Sequence, residues 1–521
     1  MSRMNYYDQP GHHGQQPYTY GEQHYPPPKF HHHYAPPPSP PPSFPQSQSM
    51  GGGNNANTYN TDKFNPRPKY RDLWAAILFL LHFAAFIAVS VIALRNYAVI
   101  QRSGANTGQD ATLNWSILWL LLVCVGIGFV LSITYLALAQ MFPRQFIKGT
   151  FFISILLYWG IAAYFFVMLY FSMAILTAIV AIFYTLFWFW WRSMIPFSSV
   201  MLKTVTDITK KYKSMILVAF GGLFAETLFS IWWIFTFIAA YQIWYPEACK
   251  TRPDENLPAA GAGCENGKLI AIIIFLIFSF YWTSQVIQTW VHVTTSGVFA
   301  TYYFLEGTPG GVPSLPTLKS AKRASTTSFG SICLGSLLVA ILQVIRALLR
   351  SAAQDTDNPF GAFCAACASV IVGCIDSLLQ YFNFYAYTQV AIYGKSFWES
   401  AKDTWKLIKD RGAEAIINDN LIGNVLVMGS LLVGIITALL SYLYTVIFDL
   451  SFNRNGEFTS MIVFLGFMVG FQMLNIIGSV ILSGTATTFV CLAEDPNALA
   501  RTKPELYHEI RITYPRFVVG M

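Results

Sequence analysis

The sequence has 521 residues, of which 54% are hydrophobic and only 11% are charged. Soluble domains carry about 25% charged residues, and a core in water cannot bury so many apolar side chains. The composition therefore excludes a soluble fold and predicts a polytopic membrane protein. The net charge of +7 does not indicate a nucleic-acid partner, because the basic residues are scattered among the connections between apolar runs.

Residues 1–70 form a low-complexity tail rich in Pro, Tyr, Gln and His. The tail has no apolar core of a secretory signal peptide, so the first transmembrane helix is expected to act as the insertion signal. Too little apolar surface is available to offset the entropy of ordering, and disorder is predicted. The proline runs favour polyproline II and suit an SH3-type or WW-type partner, although a merely solvated tail is the favoured interpretation.

Ten apolar runs follow the tail, each near the roughly 20 residues that cross a bilayer as a helix. They predict an all-α domain of ten transmembrane helices over residues 71–500, followed by a C-terminal tail over 501–521. Residues 150–191 carry no charge and are too long for one span, so a hairpin is predicted at "LYFSMA". The predicted helices cover residues 73–94, 115–139, 150–170, 172–191, 215–241, 269–292, 327–349, 362–390, 421–448 and 460–488.

Basic residues are concentrated in alternate connections, those after the second, fourth, sixth and eighth predicted helices. The other connections are poorer in Lys and Arg, and the one over residues 246–268 is partly acidic. By the positive-inside rule, the basic connections face the cytoplasm. With ten spans, both termini are expected on that side.

The charge pattern changes abruptly after the eighth predicted helix. Ser396 and Glu399 have the spacing of a capping box, and Gly412 is a suitable helix end. We therefore interpret residues 396–411 as an amphipathic helix at the cytoplasmic interface; a solvated helix packed on another connection is the alternative. Its apolar face carries Phe397, Ala401, Trp405 and Ile408.

Covalent modification is expected in the outer connections. Cys249 and Cys264 share the large outer loop, where an oxidising compartment favours a disulfide. That bond would contribute about 3 kcal/mol by restricting the unfolded chain. Asn114 begins the one N-x-S/T sequon, but it adjoins the second helix, so glycosylation there is the less favoured outcome.

Polar side chains recur at helical spacing on four predicted helices. Such groups are costly at membrane depth and usually functional. One polar stripe could join two helices, but four stripes need a common feature to face, so we predict a polar cavity among the helices. A structural role remains the alternative for each single residue. The stripes are Glu226, Ser230 and Trp233; Trp282, Gln285, Gln288 and His292; Asp376, Gln380, Asn383 and Tyr387; and Gln472, Asn475 and Ser479.

The stripes contain carboxylates and aromatic rings with almost no Lys or Arg, which favours an organic cation over an anion. A quaternary ammonium is held by ring faces and by nearby negative charge. In this hypothesis Glu226 supplies the charge. The ring faces are those of Trp233, Trp282 and Tyr387, and polar orientation comes from Gln285, Asp376 and Asn383. On the tenth helix, Gly466 and Gly470 form a G-x-x-x-G motif that predicts a close helix contact.

The stretch "FNFYAYTQVAIYGKSFWESAKD" over residues 382–403 resembles the signature of the choline transporter-like family. In it, Ala-Ile-x-Gly-x-x-Phe at 391–397 runs into Ser-Ala-Lys at 400–402. "FGSICLGSLLVAILQVIRALLR" and "TTFVCLAEDP" resemble the family's seventh helix and C-terminal end, and the tail is similar to the fungal pH-nine-sensitive branch. The resemblance implies ten helices, cytoplasmic termini, residence in the plasma membrane and transport of choline or a related amine. It assigns no binding residue.

The sequence therefore favours a carrier of choline-like cations, driven by the membrane potential or a proton gradient. The alternative is a membrane scaffold without transport activity that recruits partners through its proline-rich tail. The chain has no H-x-x-x-H metal set, nucleophile elbow or phosphate loop, so neither an enzyme nor a cofactor is expected.

Overall fold

The computed structural model describes residues 69–102, 115–244, 267–308, 310–355, 359–447 and 459–513. Over these residues the secondary structure consists of helices without strands. The helices are α1 Leu73–Arg102, α2 Trp115–Met141, α3 Pro143–Val167, α4 Phe171–Trp191, α5 Ile195–Lys211, α6 Ser214–Trp244, α7 Gly267–Leu305, α8 Pro316–Ser325, α9 Phe329–Asp355, α10 Pro359–Tyr393, α11 Phe397–Ile447, α12 Thr459–Glu494, α13 Pro496–Thr502 and α14 Pro504–Thr513.

Ten of the described helices are long and apolar enough to cross a membrane: α1–α4, α6, α7 and α9–α12. This confirms the prediction of an all-α polytopic membrane protein. The predicted hairpin in the uncharged stretch is also present, because α3 ends at Val167 and α4 begins at Phe171. The chain reverses there through Leu169, whose φ of 62° is left-handed, and the Tyr170 amide donates a hydrogen bond to the Phe165 carbonyl at 3.0 Å.

The predicted helix after the eighth span and the ninth span form one continuous helix of 51 residues, α11. Its start has the predicted capping box: the Ser396 amide donates to Glu399 Oε2, and the Glu399 amide donates to Ser396 Oγ, both at 3.3 Å. The expected helix end at Gly412 is wrong. An interior glycine costs only about 0.5–1 kcal/mol, whereas a helix end leaves several backbone groups without partners.

One end of the bundle carries the short helices α5, α8, α13 and α14 and the turn between α10 and α11; we call it the basic end. Asp72, just before α1, joins three elements there. Its Oδ2 accepts hydrogen bonds from Ser331 Oγ on α9 at 2.6 Å and from the Phe397 amide at the start of α11 at 2.7 Å. Gly394, in the turn, has a left-handed φ of 63°, which glycine adopts without strain. These contacts fix how α10 and α11 meet.

The α12 helix is the most enclosed of the ten spans in the described part of the chain. Its apolar window is 89% buried, against 11–50% for the others, so it lies inside the bundle. It packs closely on α11, and the predicted G-x-x-x-G motif makes this contact: Gly466 faces Ser441 and Gly470 faces Thr437 and the Val433 carbonyl. Because glycine has no side chain, the backbones of α11 and α12 approach each other closely. This contact places the polar face of α12 opposite the other stripes.

We expect Gly470→Ala to destabilise the protein by about 1–3 kcal/mol, the usual effect of overpacking. The added methyl carbon would lie 2.9 Å from the Val433 carbonyl oxygen, and backbone cannot move aside easily. Thermal unfolding of the purified protein in detergent measures the effect. Gly423→Ala on α11 is the matched control, because no atom lies within 4 Å of its added carbon. Equal melting temperatures for the two variants would contradict close packing at Gly470.

Candidate functional site

A cavity of about 670 Å³ lies among α6, α7, α10 and α12, with Val339 of α9 at its edge. Small-molecule sites commonly enclose about 300–1,000 Å³. The lining residues come from 219–231 on α6, 285–292 on α7, 380–387 on α10 and 472–483 on α12. These segments lie in the interior of their spans, so the cavity is at membrane depth.

The structure brings the four predicted polar stripes together around this cavity. Each stripe follows one face of its helix, and the four faces converge because α12 lies inside the bundle. Eight residues of the hypothesis line it: Glu226, Ser230, Gln285, Gln380, Asn383, Tyr387, Gln472 and Asn475.

Three residues of the hypothesis lie elsewhere. The Trp233 indole N–H donates to the Leu276 carbonyl at 2.7 Å, and its ring packs on Phe280. The Trp282 indole N–H donates to the Cys333 carbonyl at 3.2 Å, and its ring is buried against aromatic side chains of α1. Both indoles therefore pack within the bundle, and of the three ring faces in the hypothesis only that of Tyr387 lines the large cavity. Asp376 faces a second, smaller cavity.

Glu226 is the one carboxylate among the lining residues of the large cavity, and that lining includes no Lys or Arg. Gln288 Nε2 of α7 donates a hydrogen bond to Glu226 Oε1 at 2.8 Å. In the described part of the chain, no basic side chain forms an ion pair with Glu226. An amide orients the carboxylate but leaves its charge uncompensated, so the cavity has the electrostatic character of a cation site.

Amide groups supply further polarity. Asn383 is 1% exposed, and its Nδ2 donates to the Gly335 carbonyl at 3.3 Å. Its Oδ1 is buried without a hydrogen-bond partner among the described residues. Across the cavity, Asn475 Nδ2 donates to Gln472 Oε1 at 3.2 Å. A buried acceptor without a donor is unfavourable, and a ligand or water that donates a hydrogen bond would satisfy Asn383.

Aromatic rings form part of the wall. Phe384 stacks on the His292 imidazole with ring centroids 4.0 Å apart. The imidazole has three partners: Nε2 donates to the Phe384 carbonyl at 2.9 Å and lies 3.2 Å from Thr388 Oγ1, and Nδ1 lies 2.8 Å from Ser483 Oγ. The Tyr387 hydroxyl lies 3.4 Å from Ser336 Oγ of α9, which fixes the tyrosine ring against the wall.

Sequence reasoning missed several lining residues. Ser483 lies one turn beyond Ser479 on the same face of α12, so extending that stripe would have found it. The sequence did not indicate that Phe384 lines the cavity, because a phenylalanine in a membrane helix is equally typical of a lipid-facing or packing position. Thr289 likewise carries only a small hydroxyl beside the α7 stripe.

Several predicted features lie outside the described residues. They are Asn114, Cys249, Cys264 and nearly all of the tail over residues 1–70. Within the described ranges, no cluster of three or more His, Cys, Asp or Glu side chains is arranged to hold a metal ion.

An all-helical bundle with ten candidate membrane spans and an internal polar cavity defines a polytopic membrane protein. The family model described as plasma-membrane choline transporter matches residues 175–497. Protein PNS1 of Gibberella zeae is 39% identical over 459 residues, covering 86% of this chain and 83% of the relative. Protein PNS1 of Cryptococcus neoformans is 35% identical over 480 residues, covering 89% and 86%. The chain therefore belongs to the choline transporter family, in the branch that includes these fungal proteins, and is a membrane transporter.

We expect a cysteine placed at Ser479 to react with a water-soluble thiol reagent carrying a trimethylammonium group, because Ser479 lines the cavity. Leu474→Cys on the same helix is the control, since Leu474 is 0% exposed in the core. Both variants are made after replacing the eight native cysteines, and labelling is read by mass spectrometry. Failure to label position 479 would show that the reagent does not reach the cavity, and equal labelling at position 474 would contradict the packing of Leu474 in the core.

Proposed function

We propose that this protein carries choline or a closely related organic cation across the plasma membrane, with both termini in the cytoplasm. The observation that supports this best is the Glu226 carboxylate, which lines a cavity at membrane depth without a basic partner. A carboxylate in such a place is unfavourable unless a cation or water compensates it. A substrate with a fixed positive charge supplies that compensation, and an anion would be repelled.

The wall suits a quaternary ammonium group. Such a group donates no hydrogen bonds and is recognised by aromatic faces and nearby negative charge. Phe384 and Tyr387 of α10 supply rings to the cavity that Glu226 of α6 also lines. The sequence hypothesis already gave this role to Tyr387, and Phe384 takes the role that it gave to Trp233 and Trp282.

Asn383 lines the same cavity, and its Oδ1 has no hydrogen-bond partner among the described residues, which supports a hydrogen-bonding role toward the other end of a choline-like molecule. Choline carries one hydroxyl group, and a hydroxyl donor would satisfy this acceptor. A site built to bond a hydroxyl discriminates against an analogue without it, because the acceptor is then left unpaired. We therefore favour hydroxylated amines over simple tetraalkylammonium ions.

The membrane potential supplies a sufficient driving force for uptake. With the inside negative, movement of one positive charge inward is favoured by about 2.3 kcal/mol per 100 mV. The concentration of basic residues on α5 and α8 supports a cytoplasmic basic end by the positive-inside rule. Coupling to a proton gradient would add to this force.

We expect Glu226→Gln to raise the KM for radiolabelled choline uptake into proteoliposomes by about tenfold or more, which corresponds to about 1.4 kcal/mol. The substitution keeps the shape and the hydrogen bond with Gln288 but removes the charge. Glu306→Gln is the matched control, because Glu306 lies at the basic end and bonds to the half-exposed Lys211, a type of ion pair that contributes little. Unchanged uptake by Glu226→Gln would exclude this carboxylate, and a wild type that shows no saturable uptake in proteoliposomes would favour the scaffold.

A further inference from the structure

A second cavity, of about 490 Å³, lies between α7, α9 and α10. The α10 helix runs toward the basic end, and Asp376 precedes Gln380, Asn383 and Tyr387 along it, so this cavity lies on the far side of the large one. Gln380 lines both cavities and thus stands at their junction. We call the second cavity the vestibule; it is lined by Tyr281, Gln343, Arg346, Ala347, Arg350, Ser351, Asp376 and Gln380.

Asp376 contacts both Gln380 at the junction and Arg346 in the vestibule, each through one of its carboxylate oxygens. Its Oδ1 accepts a hydrogen bond from Gln380 Nε2 at 2.9 Å, while its Oδ2 lies 3.8 Å from Arg346 Nη1 of α9. The carboxylate side chain is only 4% exposed, but that of Arg346 is 34% exposed. A buried carboxylate therefore depends for its charge compensation on an arginine that still reaches open space.

The contact between Arg346 and Asp376 is loose. A charge-assisted hydrogen bond is about 2.7–2.9 Å long, so 3.8 Å is an ion pair without a direct hydrogen bond. Arg346 Nε is buried without a hydrogen-bond partner among the described residues. The guanidinium is thus close enough to neutralise Asp376 but is not locked onto it.

A glycine creates the space that the guanidinium occupies. A Cβ added at Gly373 of α10, about one turn before Asp376, would lie 2.9 Å from both Cζ and Nη2 of Arg346. The guanidinium therefore lies against the α10 backbone, where any other residue would displace it. The geometry at Gly373 and the buried carboxylate independently favour this resting position for Arg346.

We propose that Asp376 is a second cation site on the substrate path, and that Arg346 is a tethered cation that occupies it until an organic cation arrives. This inference rests on the proposed function of the large cavity. A buried carboxylate needs a cation beside it, and exchange of Arg346 for the substrate keeps Asp376 compensated throughout. Gln380 then separates this site from the cavity of Glu226. Arg346 has room to withdraw into the vestibule beside Arg350.

Choline uptake by intact cells that lack their own choline carrier tests the inference, with surface expression measured for each variant. We expect Arg346→Gln to lower the KM by about tenfold. In the unliganded wild type Arg346 occupies the Asp376 site, and the apparent affinity for substrate falls with the fraction of protein in that state. Asp376→Asn raises the KM by a similar factor. Lys268→Gln, at the exposed start of α7 and outside the lining of both cavities, is the charge-removal control and leaves the KM unchanged.

Two further variants separate competition from a structural ion pair. Gly373→Ala displaces the guanidinium without removing its charge, so it should lower the KM even if Arg346→Gln folds poorly. In the double variant Arg346→Gln/Asp376→Asn the KM should match that of Asp376→Asn alone. A purely structural pair would give an impaired Arg346→Gln, no gain from Gly373→Ala and recovery in the double variant, which would overturn the inference.

The outcomes also distinguish this inference from the proposed function. If the wild type shows no saturable choline uptake, the proposed substrate class is wrong. If the wild type transports choline and Glu226→Gln impairs it, but the Arg346, Gly373 and Asp376 variants all behave as wild type, only the second cation site is wrong.

Discussion

A charged group at membrane depth must be compensated, and this constraint explains why the helices are arranged as they are. Glu226 and its Gln288 partner could not face lipid without a large free-energy penalty. The bundle instead turns the polar faces of α6, α7, α10 and α12 toward one another. The close packing of α12 on α11 through Gly466 and Gly470 makes this possible, because it draws the polar face of α12 into the interior.

The segment that carries the family resemblance connects the cavity to the basic end. Asn383 and Tyr387 line the cavity in the last turns of α10. The chain then turns at Gly394 and starts α11 at Phe397, whose amide donates to Asp72. The abrupt change from apolar to charged residues therefore marks the point where a site-forming helix leaves the membrane. The same stretch fixes the cavity wall and its connection to α1, α9 and α11.

Helical spacing predicted much of the site, because polar residues at membrane depth are rare enough for their periodicity to be informative. It identified the number of spans, the hairpin at Leu169 and the four faces that form the cavity. Spacing does not show where along a helix one cavity ends and another begins, and so Asp376 lies in the vestibule although it shares a stripe with Asn383. The roles of Trp233 and Trp282 could not be predicted from the sequence, because an indole suits aromatic packing as well as cation binding. The continuity of α11 past Gly412 was also missed, since glycine weakens a helix but does not always end it.

The central claim is that a cation binds between Glu226 and the rings of Phe384 and Tyr387. An experimental structure of the protein with choline bound tests it most directly. We expect ligand density inside the large cavity, with the ammonium group beside the Glu226 carboxylate and the hydroxyl near Asn383. A choline-bound structure without density in the large cavity, or a lysine or arginine occupying the space beside Glu226, would contradict the claim.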